Sequence, residues 1–284
     1  MKLWSVVGLA LAIVSALVVA VLGRPYLQRR VRHRPWFTYS CSPLGAADYA
    51  ALVARPGWSR ATLQVSNTVS LNGLIRRPVS HEAPWLLFFP GNDATQLAGG
   101  QNFLERVRAA RDWGLAVFAY RGYDSSGGRP SPDDLASDGA KIVENLLQSE
   151  DIKPAQLHVA AFSLGGYVAA YAVGRAAMTN SRLASLTLLS SVSEAEMVRS
   201  ALIARVAICD VYQTLPLLDA VPEPVLVLHG GADVTVDVSQ GQSIAARLSN
   251  RAKFKIVPGA VHALTENETA IDAVREMVES SNPR

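Results

Sequence analysis

From residue 85 onward, short and largely apolar runs alternate with longer stretches of helical periodicity, and that alternation leaves few folds open to the chain. The runs are Trp85–Phe89 (WLLFF), Leu115–Tyr120 (LAVFAY), Leu157–Phe162 (LHVAAF), Leu186–Leu189, Val225–Leu228 and Phe254–Val257. Each reads as a buried strand. The intervening helices are predicted over Asn102–Trp113, Pro132–Leu147, Leu164–Ala177 and Glu194–Ala207, around Ile244–Leu248, and over Glu266–Val278. Thr62–Val65 and Leu71–Arg76 add two strands ahead of the first run. Buried strands that alternate with helices predict an α/β architecture, a mostly parallel sheet flanked by helices on both faces. Chemistry in such sheets gathers in the loops at the carboxyl ends of the strands.

Local signals fit this frame. Ser131 stands as an N-cap before Pro132, with Asp133 and Asp134 in the first turn, where carboxylates oppose the helix dipole favourably. Leu164–Ala177 is apolar nearly all round, as a buried helix must be. Segment 35–60 carries weak patterning and reads as a link.

The N-terminus differs from the rest. Leu3–Leu22 is uncharged and about 20 residues long, enough to cover a hydrocarbon core of roughly 30 Å. Arg24, Arg29, Arg30, Arg32 and Arg34 follow it, with only Lys2 ahead. A single-pass transmembrane helix fits better than a cleaved signal peptide. The run exceeds the usual 7–15-residue signal core, and Val21 and Gly23 make a poor cleavage site. The arginines then place the body in the cytoplasm by the positive-inside rule; a cleaved leader would make it periplasmic or secreted. The expected organisation is an anchor over 1–23, a basic juxtamembrane segment and linker over 24–60, and a catalytic domain over 61–284.

The net charge of +3 belongs to this leader. Six of the 27 basic residues precede residue 35, so the body sets 21 against 24 acidic residues. That balance, without a basic stripe, argues against a nucleic-acid partner. Gly165-Gly166 and Gly230-Gly231 precede no Lys-Ser/Thr and are not phosphate cradles. No metal-ligand cluster or cofactor motif is evident, so no metal and no cofactor are expected. Cys41 and Cys209 form no CxxC and read as unlinked thiols unless the domain faces an oxidising compartment.

Three strand ends carry the candidate chemistry. Ala161-Phe162-Ser163-Leu164-Gly165-Gly166 lies between a strand and a buried helix and resembles the G-x-S-x-G nucleophile elbow, with Ala161 in the first glycine place. Asp233 follows its strand through His229-Gly230-Gly231-Ala232, and His262 follows through Pro258-Gly259-Ala260-Val261. The order Ser163, Asp233, His262 suits a nucleophile, an orienting acid and a general base. Asp237 is the rival acid. His33, His81, His158 and His229 read as structural. Phe89-Pro90-Gly91-Asn92 supplies the remaining loop: the N–H groups of Asn92 and Leu164 are the candidate oxyanion donors.

With these residues in place, the chain resembles the α/β-hydrolase superfamily over about residues 60–280. Pro90-Gly91-Asn92 is similar to that superfamily's His-Gly-Asn segment, with proline replacing histidine. Tyr120-Arg121-Gly122-Tyr123, followed by Ser125, Ser126, Gly127 and Pro130, is similar to a stretch found in a membrane-anchored subgroup that includes protein depalmitoylases. Asp124 departs from it, standing where glycine is usual. The resemblance implies a serine hydrolase without cofactor. Its partners would be a lipid-like or small acyl substrate or an acylated protein, with the membrane reached through the N-terminal helix. It also implies the lack of a large cap: about thirty residues, Val192 to Pro222, separate two strands, and the predicted helix Glu194–Ala207 reads either as a small lid or wall of an acyl pocket or as a helix packed on the body. An α/β-hydrolase peptidase and a non-catalytic membrane-tethered scaffold are the alternatives.

Overall fold

The strands of the computed structural model, which describes residues 36–150, 152–201 and 207–281, are β1 (Trp36–Thr38), β2 (Trp58–Ser66), β3 (Val69–Arg76), β4 (Trp85–Phe89), β5 (Gly114–Phe118), β6 (Leu157–Phe162), β7 (Ser185–Leu189), β8 (Glu194–Ala201), β9 (Ala207–Gln213), β10 (Val225–Gly230) and β11 (Ala252–Val257). Eight of them form one sheet in the order β11-β10-β7-β6-β4-β5-β3-β2. The five pairings from β5 through β4, β6, β7 and β10 to β11 are parallel. Only the β2–β3 and β3–β5 pairings are antiparallel.

Helices α1 (Ala46–Val53), α2 (Gln96–Arg108), α3 (Pro132–Ser149), α4 (Gly165–Met178), α5 (Val238–Leu248) and α6 (Glu268–Ser280) complete the unit. The central strands β4, β5, β7 and β10 are buried at every position, which explains their largely apolar runs. Helix α3 packs on α4 and α2 on α6, flanking the sheet. The edge strand β11 instead alternates, and Lys253 and Lys255 occupy an edge that would otherwise offer unpaired backbone groups. The side chain of Ser131 caps α3 by accepting from the N–H of Asp134.

Three expectations change. Glu194–Ala201 is not helical but is strand β8, which pairs antiparallel with β9 and has β1 on its other side. Ala, Glu, Met and Arg favour a helix locally, but sheet pairing and the burial of Ala195 and Tyr212 override that preference. Where the sequence predicts a helix, two antiparallel strands stand. The compact unit also begins at Phe37, not near residue 61, because α1 and the first residues of β2 belong to it. Finally, α2 begins six residues earlier than predicted, at Gln96, because Asp124 accepts from the N–H of Leu97 at 2.6 Å and satisfies a donor of its first turn. Asp124 has φ +44°, so the residue that replaces glycine tolerates the left-handed region and holds a helix end in return.

No helix among the described residues is long and apolar enough to cross a membrane. The predicted span Leu3–Leu22, and the arginines after it, lie outside those residues.

Candidate active site

Ser163 sits between the end of β6 and the start of α4 with φ +53°, a left-handed conformation that costs a non-glycine residue about 1–3 kcal/mol. The tightness of the turn accounts for it. A Cβ on Gly165 would fall 2.2 Å from the backbone oxygen of Phe89, and one on Gly166 would fall 2.5 Å from the Ser191 side chain. Glycine is needed at both places because backbone or a buried side chain fills the space. Ala161 is tolerated in the first glycine place as an ordinary, fully buried position of β6. The N–H of Ser163 donates to the Leu189 carbonyl at the end of β7, which ties the turn to the neighbouring strand.

The loops after β10 and β11 are joined by their backbones. The N–H of Gly231 donates to Val257 O and that of Ala232 to Ala260 O, both at 2.9 Å. A Cβ at Gly230 would lie 2.4 Å from Ala260 O, so the approach requires glycine there. This brings Asp233 and His262 together although 29 residues separate them. The His262 Nδ1 lies 2.8 Å from Asp233 Oδ2, and its Nε2 lies 3.1 Å from Ser163 Oγ. The ring stacks, tilted, on Phe162 at a centroid distance of 4.8 Å.

Asp233 is held from its other side. Its Oδ1 accepts from the N–H groups of Thr235 and Val236, each at 2.9 Å. Burial pushes its carboxyl up, but the Val236 N–H, the His262 ring and the Thr235 N–H outweigh burial, and the carboxyl sits below the usual carboxylate range. His229 donates from Nε2 to Val236 O at 2.8 Å, with the same nitrogen 3.5 Å from Asp233 Oδ2. Burial lowers its pKa and favours a neutral ring, so it supports the acid loop. The rival acid Asp237 caps α5 through the N–H of Ser239, and Asp233 is the carboxylate bonded to the histidine.

Gly91 lies against the elbow: a Cβ there would be 2.9 Å from Phe162 Cδ1 and 3.2 Å from Ser163 Cβ. The Asn92 and Leu164 N–H groups have no hydrogen-bond partner among the described residues, as groups reserved for a ligand would not. The carboxamide of Asn92, however, is engaged through both its oxygen and its nitrogen. It accepts from the N–H of Ser40 and from the Tyr123 hydroxyl, and donates to the Thr38 carbonyl. Tyr123 belongs to the loop that the sequence places beside the site, whereas segment 38–40 leaves no residue signature, because it meets Asn92 only through its own backbone atoms. Arg121 makes a bidentate pair with Asp138 at 2.7 Å and a further contact with Asp134, a structural role that ties its loop to α3. Cys41 is a free, exposed thiol; the side chain of Cys209 lies outside the described residues.

A serine bonded to a histidine that is bonded to a buried carboxylate can pass the hydroxyl proton to the ring and expose an oxygen nucleophile. Comparison with known proteins agrees with the fold that carries it. No protein-family model matches the chain. Two uncharacterised proteins from strains of Mycobacterium tuberculosis are each 33% identical over 183 residues, covering 61% of this chain and 63% of theirs. An α/β hydrolase domain-containing protein of Caenorhabditis elegans, aho-3, is 26% identical over 204 residues, covering 72% of this chain and 60% of its own. The chain thus spans less than two thirds of these relatives. Among solved structures, an α/β hydrolase from Vibrio vulnificus matches with a TM-score of 0.68 at 16% identity, over 88% of this chain and 96% of that one. An esterase of Pyrococcus furiosus matches at 0.62 and 14%, over 84% and 98%. A membrane phospholipase A described as a bacterial virulence factor matches at 0.61 and 17% over all of both chains. These likenesses show the α/β-hydrolase fold for this chain.

Proposed function

We propose that the chain is a serine hydrolase that cleaves a carboxylic ester or thioester of a hydrophobic acyl group. The observation that carries this reading is the continuous hydrogen-bonded line from Ser163 through His262 to Asp233, at 3.1 and 2.8 Å. His262 takes the Ser163 proton as Oγ attacks the carbonyl carbon. The resulting oxyanion is met by the N–H groups of Asn92 and Leu164. Collapse expels the alcohol or thiol, which leaves with the proton from His262, and an acyl-serine remains. Water, deprotonated by the same ring, then releases the acid and restores Ser163. Asp233 holds the ring's tautomer and stabilises the imidazolium.

Exposed apolar residues adjoining the acid and the base in sequence support an apolar substrate. Val234, next to the acid, is 96% exposed, and Val261, next to the base, is 59% exposed. The esterase and phospholipase among the structural neighbours suit the same chemistry. The uncharged run Leu3–Leu22 supports an anchor that keeps the site beside lipid or acylated protein, with the domain in the cytoplasm.

The test is turnover of p-nitrophenyl esters from two to sixteen carbons and of a palmitoyl thioester by the full chain in detergent. Activity that rises with acyl length and vanishes in Ser163→Ala supports the reading. A folded protein inert on every substrate, or equal activity in the variant, overturns it.

A further inference from the structure

The Asn92 carboxamide meets three groups that fix its orientation. The Ser40 N–H and the Tyr123 hydroxyl reach Oδ1 at 2.9 and 2.6 Å, and Nδ2 reaches the Thr38 carbonyl at 2.8 Å. A backbone N–H can only donate and a carbonyl can only accept, so the amide is held one way round. It bonds segment 38–40 as a neighbouring strand would. That segment is fastened in turn: the Tyr39 hydroxyl donates to Asp210 Oδ2 at 2.6 Å and lies 2.7 Å from the Tyr212 hydroxyl. Farther along, the Asp124 N–H donates to Ser42 O, and Ser125 Oγ bonds both the N–H and the carbonyl of Leu44. Asn92 is thus tied by its side chain to a strap, while its neighbour Gly91 leaves no room for a Cβ against Ser163 and Phe162.

The geometry points to a positioning role for these contacts: segment 38–40 and Tyr123 clamp the Asn92 side chain and thereby set the place of its backbone N–H in the oxyanion site. The inference rests on the serine-hydrolase reading above. A donor that stabilises charge only in the transition state acts through its position, and a displacement of about 1 Å can cost about 100-fold in rate. A short residue with a free side chain would leave the loop after β4 to find its own place. The strap removes that freedom and makes the stretch just behind the N-terminal segment part of the catalytic apparatus.

The experiment compares Asn92→Ala, Asn92→Asp and Tyr123→Phe with the unaltered full chain on a short p-nitrophenyl ester. It also measures inhibition by a trifluoromethyl ketone, whose adduct with a serine hydroxyl carries a tetrahedral oxyanion. Asn92→Ala removes all three bonds and keeps the backbone N–H. It is expected to lower kcat by about 10- to 100-fold with KM within about threefold, and to weaken the ketone in proportion. Asn92→Asp keeps the acceptor but sets a carboxylate oxygen against the Thr38 carbonyl, and should lose at least as much. Tyr123→Phe deletes the hydroxyl's bond to Asn92, with its contacts to Cys41 and the Ser40 backbone, and leaves the ring in place; it should lose about three- to tenfold in kcat, and decides the matter if the Asn92 variants do not fold. Unchanged kcat and ketone affinity in the folded variants, beside an active unaltered chain, overturn the clamp and leave the hydrolase reading standing. An unaltered chain that is inert toward both ester and ketone overturns both.

Discussion

Ser163 and Gly165 show how far the elbow constrains single residues. Ser163 holds φ +53°, and the helix that follows presses against the end of β4. Gly165→Ala is expected to cost at least about 1–3 kcal/mol, because the obstacle is backbone and cannot rotate aside. Chemical denaturation measures the loss, and it should come with reduced turnover, since the displaced groups lie at Phe89 and Pro90 beside the oxyanion loop. A methyl group accepted there without change would mean that the turn is looser than its geometry. Asp233→Asn tests the acid. The carboxylate fixes the His262 tautomer, and an amide in its place favours the wrong one. A fall in kcat of about 10⁴-fold with KM little moved is expected; a loss confined to KM would remove Asp233 from the relay.

At the level of elements, strands β6 and β7 enclose a titratable group unrelated to the chemistry. His158 is buried beside Ser185 at 2.8 Å, and burial lowers its pKa to about 4. In the unfolded chain the ring takes a proton below its ordinary value of about 6.5. Between pH 6.5 and about 4 the unfolded state therefore binds one proton more, and stability falls as the pH falls. Replacing His158 by Gln should remove about 1.4 kcal/mol per pH unit from the slope of unfolding free energy across that window, read from urea midpoints at several pH values. An unaltered slope would place the ring's titration elsewhere. Burial also explains what the sequence disclosed. The central strands are covered on both faces, so WLLFF and LAVFAY name themselves, and Ser163, Asp233 and His262 each follow such a run. Strand β8 did not, because Glu194-Ala195-Glu196-Met197 favours a helix until a partner strand is present. Nor did the strap, because Thr38 and Ser40 act through backbone atoms that any residue supplies. Asp124 in place of glycine was visible as a departure, but its bond to Leu97, 27 residues earlier, belongs to the tertiary fold.

For the molecule as a whole, an apolar leader precedes a folded unit that begins at Phe37. The full chain is expected to sediment with membranes and to resist alkaline carbonate, whereas a variant with several of the residues 3–22 changed to charged ones should be released. Release of the unaltered chain by carbonate would argue for a peripheral attachment. The serine chemistry itself is reached most directly by reaction of the full chain with a fluorophosphonate, followed by mass mapping. A single adduct on Ser163 is expected, formed in step with the loss of esterase activity and prevented by His262→Ala. A folded chain left unlabelled, or labelled at another serine, would contradict it.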